Sequence, residues 1–114
     1  MPDKDTLNIL TILDSIDKIN EYTKNYSDAD EFHANQRDFD AAMMNFIIIG
    51  EMVVLLSDEF IDEHKNLEWL KIRGFRNIVA HNYFGIDAEE VWEIIKKDLV
   101  VLEKELRHKK RSSQ

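Results

Sequence analysis

Cysteine is absent from the 114 residues, which excludes a disulfide scaffold and thiolate metal sites and fits a reducing, cytoplasmic setting. Pro2 is the only proline and glycine occurs three times, so little interrupts helical periodicity and hairpin turns find no support. Cations are also scarce. Fifteen Lys and Arg against 23 Asp and Glu give a net charge of −8, so the chain cannot coat nucleic acid over its whole surface and any RNA contact must be local. Two basic clusters stand out of this background: Lys71, Arg73 and Arg76, and the tail from Arg107 to Arg111. The longest apolar-rich run, 41–56, is shorter than the roughly 20 residues of a membrane span and carries Asn45 and Glu51, so no membrane association is expected. The first residues, Met1-Pro2-Asp3-Lys4-Asp5, are acidic where a secretory signal would be basic and then apolar.

What is present is 44% hydrophobic and 33% charged residues, the composition of a chain that folds into one domain. Ile9, Ile12, Leu13, Ile16 and Ile19 recur at helical spacing and predict a first helix over about 3–25. A turn-like stretch follows, in which Ser27, Asp28 or Asp30 can cap the next helix. That second helix, about 30–56, places Phe32, Phe39, Met43, Phe46, Gly50 and Val53 on one stripe. Its second half is apolar almost all round, so it must be central in the bundle or lie at a subunit interface. An acidic link over 57–66 leads to Leu67-Glu68-Trp69-Leu70, where a third helix begins that runs to about His81, and Gly85 is placed for a left-handed exit. Asp87 with Glu90 forms a capping box for a last helix carrying Val91, Ile94, Ile95, Leu99, Leu102 and Leu106. The expected fold is all-α: an antiparallel bundle of about four main helices over 1–108, ending in a short, basic, disordered tail over 109–114.

Chemistry concentrates around the end of the third helix, where Arg73, Arg76, Asn77, His81 and Tyr83 gather. Histidine titrates near neutrality, with a reference pKa of about 6.5, and can both take and give a proton. Arginine presents fixed cationic donors matched to a phosphate oxygen pair. Together they suit attack of an RNA ribose 2′-hydroxyl on its own phosphodiester, the His drawing off the proton and the Arg stabilising charge on the phosphorane. That route needs no metal, and DNA could not follow it. On an ideal helix Arg76 and His81 point about 140° apart, whereas Arg73, Asn77, Ala80 and His81 share a face. Either a two-fold dimer brings one chain's His81 to the other's Arg76, or fraying at the helix end reorients His81.

Each of these residues also has a plainer reading. His81 can simply favour the negative end of a helix dipole, and Arg76 can form a surface ion pair. Lys71 and Arg73 read as a solvated basic face that can steer RNA, and Asn77 as a surface amide or a group that orients the imidazole or holds phosphate. Tyr83 reads as a packing residue that buries its ring, and Glu51 as a carboxylate reaching solvent or an arginine at an interface, in preference to a general base. His33, His64 and His108 are scattered, so neither metal nor cofactor is expected.

Arg76-Asn77-Ile78-Val79-Ala80-His81 matches the Arg-x4-His signature of HEPN ribonucleases, and His81-Asn82-Tyr83 extends it to the HepT-like form. Ile49-Gly50-Glu51, Phe84-Gly85-Ile86-Asp87 and Val91-Trp92 also resemble that family, with Met52 departing where alanine is common. The resemblance implies a dimerising HEPN-like bundle that cleaves RNA without metal, leaving a cyclic phosphate, with Arg76 and His81 catalytic. It further implies a toxin–antitoxin setting and a minimal nucleotidyltransferase antitoxin able to transfer AMP to Tyr83. The alternative expectation is a non-catalytic helical binding module serving such a nucleotidyltransferase.

Overall fold

The computed structural model describes residues 3–112, with side chains except those of His81, Asn82 and 109–112. In chain order the helices are α1 (Lys4–Thr23), α2 (Ala29–Ala34), α3 (Gln36–Val54), α4 (Asp58–Glu63), α5 (Trp69–Arg73) and α6 (Phe75–Asn82). A 3-10 turn (Tyr83–Gly85) precedes α7 (Ala88–Glu93), a π-helical turn (Ile94–Asp98) and α8 (Leu99–Ser112), and no strand occurs among the described residues. The fold is therefore all-α, as the periodicity predicts.

α1 starts at Asp3, whose carboxylate accepts the Thr6 N–H at 2.8 Å, and its five predicted core residues are all buried. Ile12, Ile16 and Ile19 have no exposed surface, and each such side chain contributes about 1.5–3 kcal/mol on leaving water. α1 lies antiparallel along α3. Asp5 accepts both N–H and Oγ–H of Ser57, at 2.9 and 2.5 Å, and Asn8 donates to the Leu55 carbonyl.

Several expected boundaries are corrected. The second helix is two: α2 and α3 meet at Asn35, which is extended and whose side chain accepts the Asp38 N–H, so a new helix is capped in mid-pattern. The acidic link contains α4, capped by Ser57, with Phe60, His64 and Leu67 buried beneath it. The third helix divides at Gly74 into α5 and α6. Gly85 does not make a left-handed exit, since no glycine among the described residues has positive φ; the chain leaves α6 through the 3-10 turn. At α7 one oxygen of Asp87 accepts from both the Glu89 and Glu90 N–H groups, at 2.9 and 3.4 Å, the second being the Asp87 half of the expected capping box.

In an unbroken α-helix Ile94 and Leu99 would point about 140° apart. The π turn widens the coil between them, so Val91, Ile94, Ile95, Leu99, Leu102 and Leu106 all reach the core. α8 continues to Ser112, so the backbone of 109–112, expected in the tail, is helical, while 113–114 lie outside the described residues. Arg107 joins Glu103 and Asp17, both at 2.8 Å, and ties α8 to α1.

Candidate active site

α6 runs antiparallel along α3 at unusually close range. A Cβ added to Gly50 would lie 3.1 Å from the Arg76 Cβ, 3.2 Å from the Arg76 nitrogen and 3.4 Å from the Arg73 carbonyl oxygen. Gly50 thus lets the two helices meet backbone to backbone. At the other end of α6, Tyr83 reaches the start of α3: its hydroxyl donates to Asp40 and accepts from Gln36 Nε2 at 2.8 Å. Gln36 Nε2 also donates to Asp40 at 2.7 Å, closing a triangle of polar groups. The hydrogen bond to Asp40, then burial, holds the Tyr83 phenol above its ordinary titration range.

Arg76 projects from α6 and is half exposed. Its Nε lies 2.9 Å from Glu51 Oε1, with side-chain exposures of 55% and 45%. Glu51 is thus a carboxylate that reaches an arginine. Asn77 is exposed on α6, and Arg73 is exposed at the end of α5, separated from α6 by Gly74. Of the residues expected to share one helical face, Arg73 is set apart by the interruption at Gly74, while Asn77, Ala80 and His81 lie together on the unbroken α6. His81 lies in the last turn of α6, five residues or about 7.5 Å of rise beyond Arg76. The side chains of His81 and Asn82 lie outside the described residues.

Lys71, grouped with the arginines in sequence, pairs with Asp98 at 3.0 Å, and that hydrogen bond holds its ammonium above its usual range. It fastens α5 to the π turn. Among the described residues no three of His, Cys, Asp and Glu gather where they could hold a metal ion.

The outer face of α3 borders this site. Asp40, Met44, Ile47, Glu51 and Val54 follow one another at three- and four-residue steps along a single line. Asp40 and Glu51 anchor Tyr83 and Arg76, while Met44 and Val54 remain more than half exposed. The all-round apolar character of α3 is therefore only partly absorbed within one chain. Leu70 on α5 and Phe84 beside Tyr83 are also strongly exposed. Asp40 and Gln36 carried no signal in sequence beyond their i,i+4 spacing at the start of a helix. The arrangement is an open surface with a guanidinium held by a carboxylate, suited to a polymeric anion.

Residues 12–108 match the family described as Ribonuclease HepT-like. "Putative RNase MJ1380" of Methanocaldococcus jannaschii is 36% identical over 95 residues, covering 83% of this chain and 86% of that protein. "Gamma-glutamylcyclotransferase and putative RNase MJ0434" of the same organism is equally similar over 83% of this chain, which spans only 42% of its length. "Probable ribonuclease HepT" of Thermococcus cleftensis is 27% identical, covering 77% of this chain and 79% of its own. No solved structure matches the chain significantly. The extent of the family match, carried on the helices that hold Gly50, Glu51, Arg76 and His81, establishes that the chain belongs to the HepT-like ribonuclease family.

Proposed function

We propose that the chain is a metal-independent endoribonuclease, the toxin of a prokaryotic toxin–antitoxin pair, acting in the cytoplasm as a homodimer on RNA such as tRNA or mRNA. The observation that carries this reading is Arg76, a half-exposed cation that shares the short α6 with His81 and is held by Glu51 of α3. His81 takes the proton of a ribose 2′-hydroxyl, the 2′-oxygen attacks phosphorus and the bond to the 5′-oxygen breaks. The departing oxygen gains a proton and a 2′,3′-cyclic phosphate remains. Arg76 stabilises the charge that develops on the phosphoryl oxygens, and Asn77 and Arg73 hold the strand beside it.

A two-fold dimer supports this chemistry, because Arg76 and His81 diverge around α6 by about 140°. Burying Met44, Ile47 and Val54 of α3 against a second copy would bring the two α6 helices together and pair each Arg76 with the partner's imidazole. The composite site then has Arg76 and His81 from different chains.

The antitoxin partner in this reading is a minimal nucleotidyltransferase that adds AMP to Tyr83. Tyr83 suits the role: its ring packs near Phe39 while its hydroxyl sits at the surface with Asp40 and Gln36. No described helix is long and apolar enough to cross a membrane.

Incubating the purified chain with RNA in EDTA tests the mechanism. Cleavage leaving cyclic phosphate ends, abolished by 2′-deoxy substitution at the cut, is expected; a strict metal requirement or equal cutting of DNA would refute it. The net charge of −8 favours a second reading, a non-catalytic module that docks a nucleotidyltransferase. Expression without the partner separates the two, since a toxin arrests growth and a docking module does not. Mass spectrometry after coexpression with the nucleotidyltransferase should find AMP on Tyr83, and an unmodified tyrosine would count against that regulation.

A further inference from the structure

We infer that Glu51 is a positioning residue for Arg76, fixing the guanidinium so that its outer edge faces the phosphate of bound RNA; this rests on the reading of Arg76 as the group that stabilises the phosphorane. The argument begins at the backbone. Gly50 seats α6 on α3 so closely that the Arg76 Cβ has no free space behind it. The residue that follows Gly50 on α3 is Glu51, whose carboxylate meets Arg76 at Nε, the guanidinium nitrogen nearest the chain. Arg76 is therefore constrained at its root by the glycine contact and near its head by the carboxylate. Meeting the carboxylate at Nε leaves the end edge, with both Nη nitrogens, as a two-donor fork for phosphate oxygens.

Folding does not explain the pair. Its two side chains are 55% and 45% exposed, and ion pairs this open contribute little to stability. Its charge even opposes ground-state binding, because a carboxylate beside the strand repels phosphate. A group that weakens binding yet holds the arginine in place has a distinctive kinetic signature: it raises kcat and does nothing to lower KM.

The experiment compares wild type, Glu51→Ala, Glu51→Gln, Arg76→Ala and the Glu51→Ala/Arg76→Ala double variant on a short fluorogenic RNA. Glu51→Ala should lose about tenfold or more in kcat, by misplacement of a catalytic cation, with KM unchanged or lower and the melting temperature and oligomeric state preserved. Glu51→Gln, which removes the charge that pairs with the guanidinium, should lose nearly as much. The double variant should be no slower than Arg76→Ala alone, because a residue acting through Arg76 has nothing left to position. Wild-type kcat in Glu51→Ala, losses that multiply in the double variant, or a loss that follows a broken dimer would each overturn the proposal. A 15N NMR measurement of the Arg76 Nε–H separates this inference from the ribonuclease reading. An ordered Nε–H in wild type that becomes mobile in Glu51→Ala supports the positioning role even if the protein cuts no RNA tested, and equal mobility in both refutes it.

Discussion

Losing the proton of the Tyr83 hydroxyl would place a phenolate against the Asp40 carboxylate, which is why this group titrates above a free phenol. Tyr26 is held the same way by Asp38. Both folded values lie above the unfolded value of about 10. The stability these bonds contribute is therefore complete below about pH 10 and lost as pH rises through the folded values. Asp40→Asn should bring Tyr83 back toward the free phenol, read by phenolate absorbance with Tyr22 and Tyr26 replaced by Phe, and should make the alkaline loss of stability shallower. At the candidate site, His81→Ala should stay folded and, on the proposed mechanism, lose about 10²–10⁴-fold in cleavage, the usual contribution of a general base; wild-type cleavage would remove His81 from the mechanism. Arg76 and His81 could be nominated from the sequence because they are close together and carry their chemistry in their side chains, and both lie on α6. Glu51 was half legible, as a charge inside an apolar run that had to find a cation. Asp40 and Gln36 were not, because their partner Tyr83 is 43 and 47 residues away and nothing local distinguishes them from ordinary surface polar groups.

Among the elements, every helical stripe read from the sequence became core, yet the breaks at Asn35 and Gly74 and the π turn at 94–98 stayed hidden. Hydrophobic spacing survives across Asn35 and Gly74 because the short helices on either side still face the same interior. At Asn35 the decision is made by one side chain that prefers the Asp38 N–H to a helical conformation. Asn35→Ala should accordingly cost about 1 kcal/mol in urea unfolding, the usual loss at an N-cap. Gly50 tests the contact between α3 and α6. Gly50→Ala forces a Cβ to within 3.1–3.2 Å of Arg76, so α6 must move by a few tenths of an ångström. We expect lower thermal stability together with weaker cleavage, measured on the same preparation; a fully active, equally stable alanine variant would show that the close approach has no role. The short α4 was illegible because six residues hold too little periodicity to be read.

For the whole molecule, the net charge, the absence of cysteine and the single proline limited the class, but only the folded chain separates the side of α3 that is used internally from the side left over. Met44 and Val54, 58% and 53% exposed, belong to that remainder. Replacing both with Glu should leave circular dichroism unchanged, convert a dimer into a monomer in sedimentation, and abolish cleavage while RNA binding is only weakened. Cleavage by that monomer at the wild-type rate would mean that one chain supplies the complete site. Sequence alone left both possibilities open, since 100° per residue fixes directions around a helix but not what approaches it.

The π turn also bears on how the chain tolerates a change in length. Removing one residue from a core helix ordinarily rotates everything downstream by about 100° and ruins its packing. Here the coil already holds one residue more than a regular helix would, at a stretch that includes exposed Lys96 and Lys97. Deleting Lys97 should let the helix relax to ordinary winding with Leu99, Leu102 and Leu106 still seated in the interior.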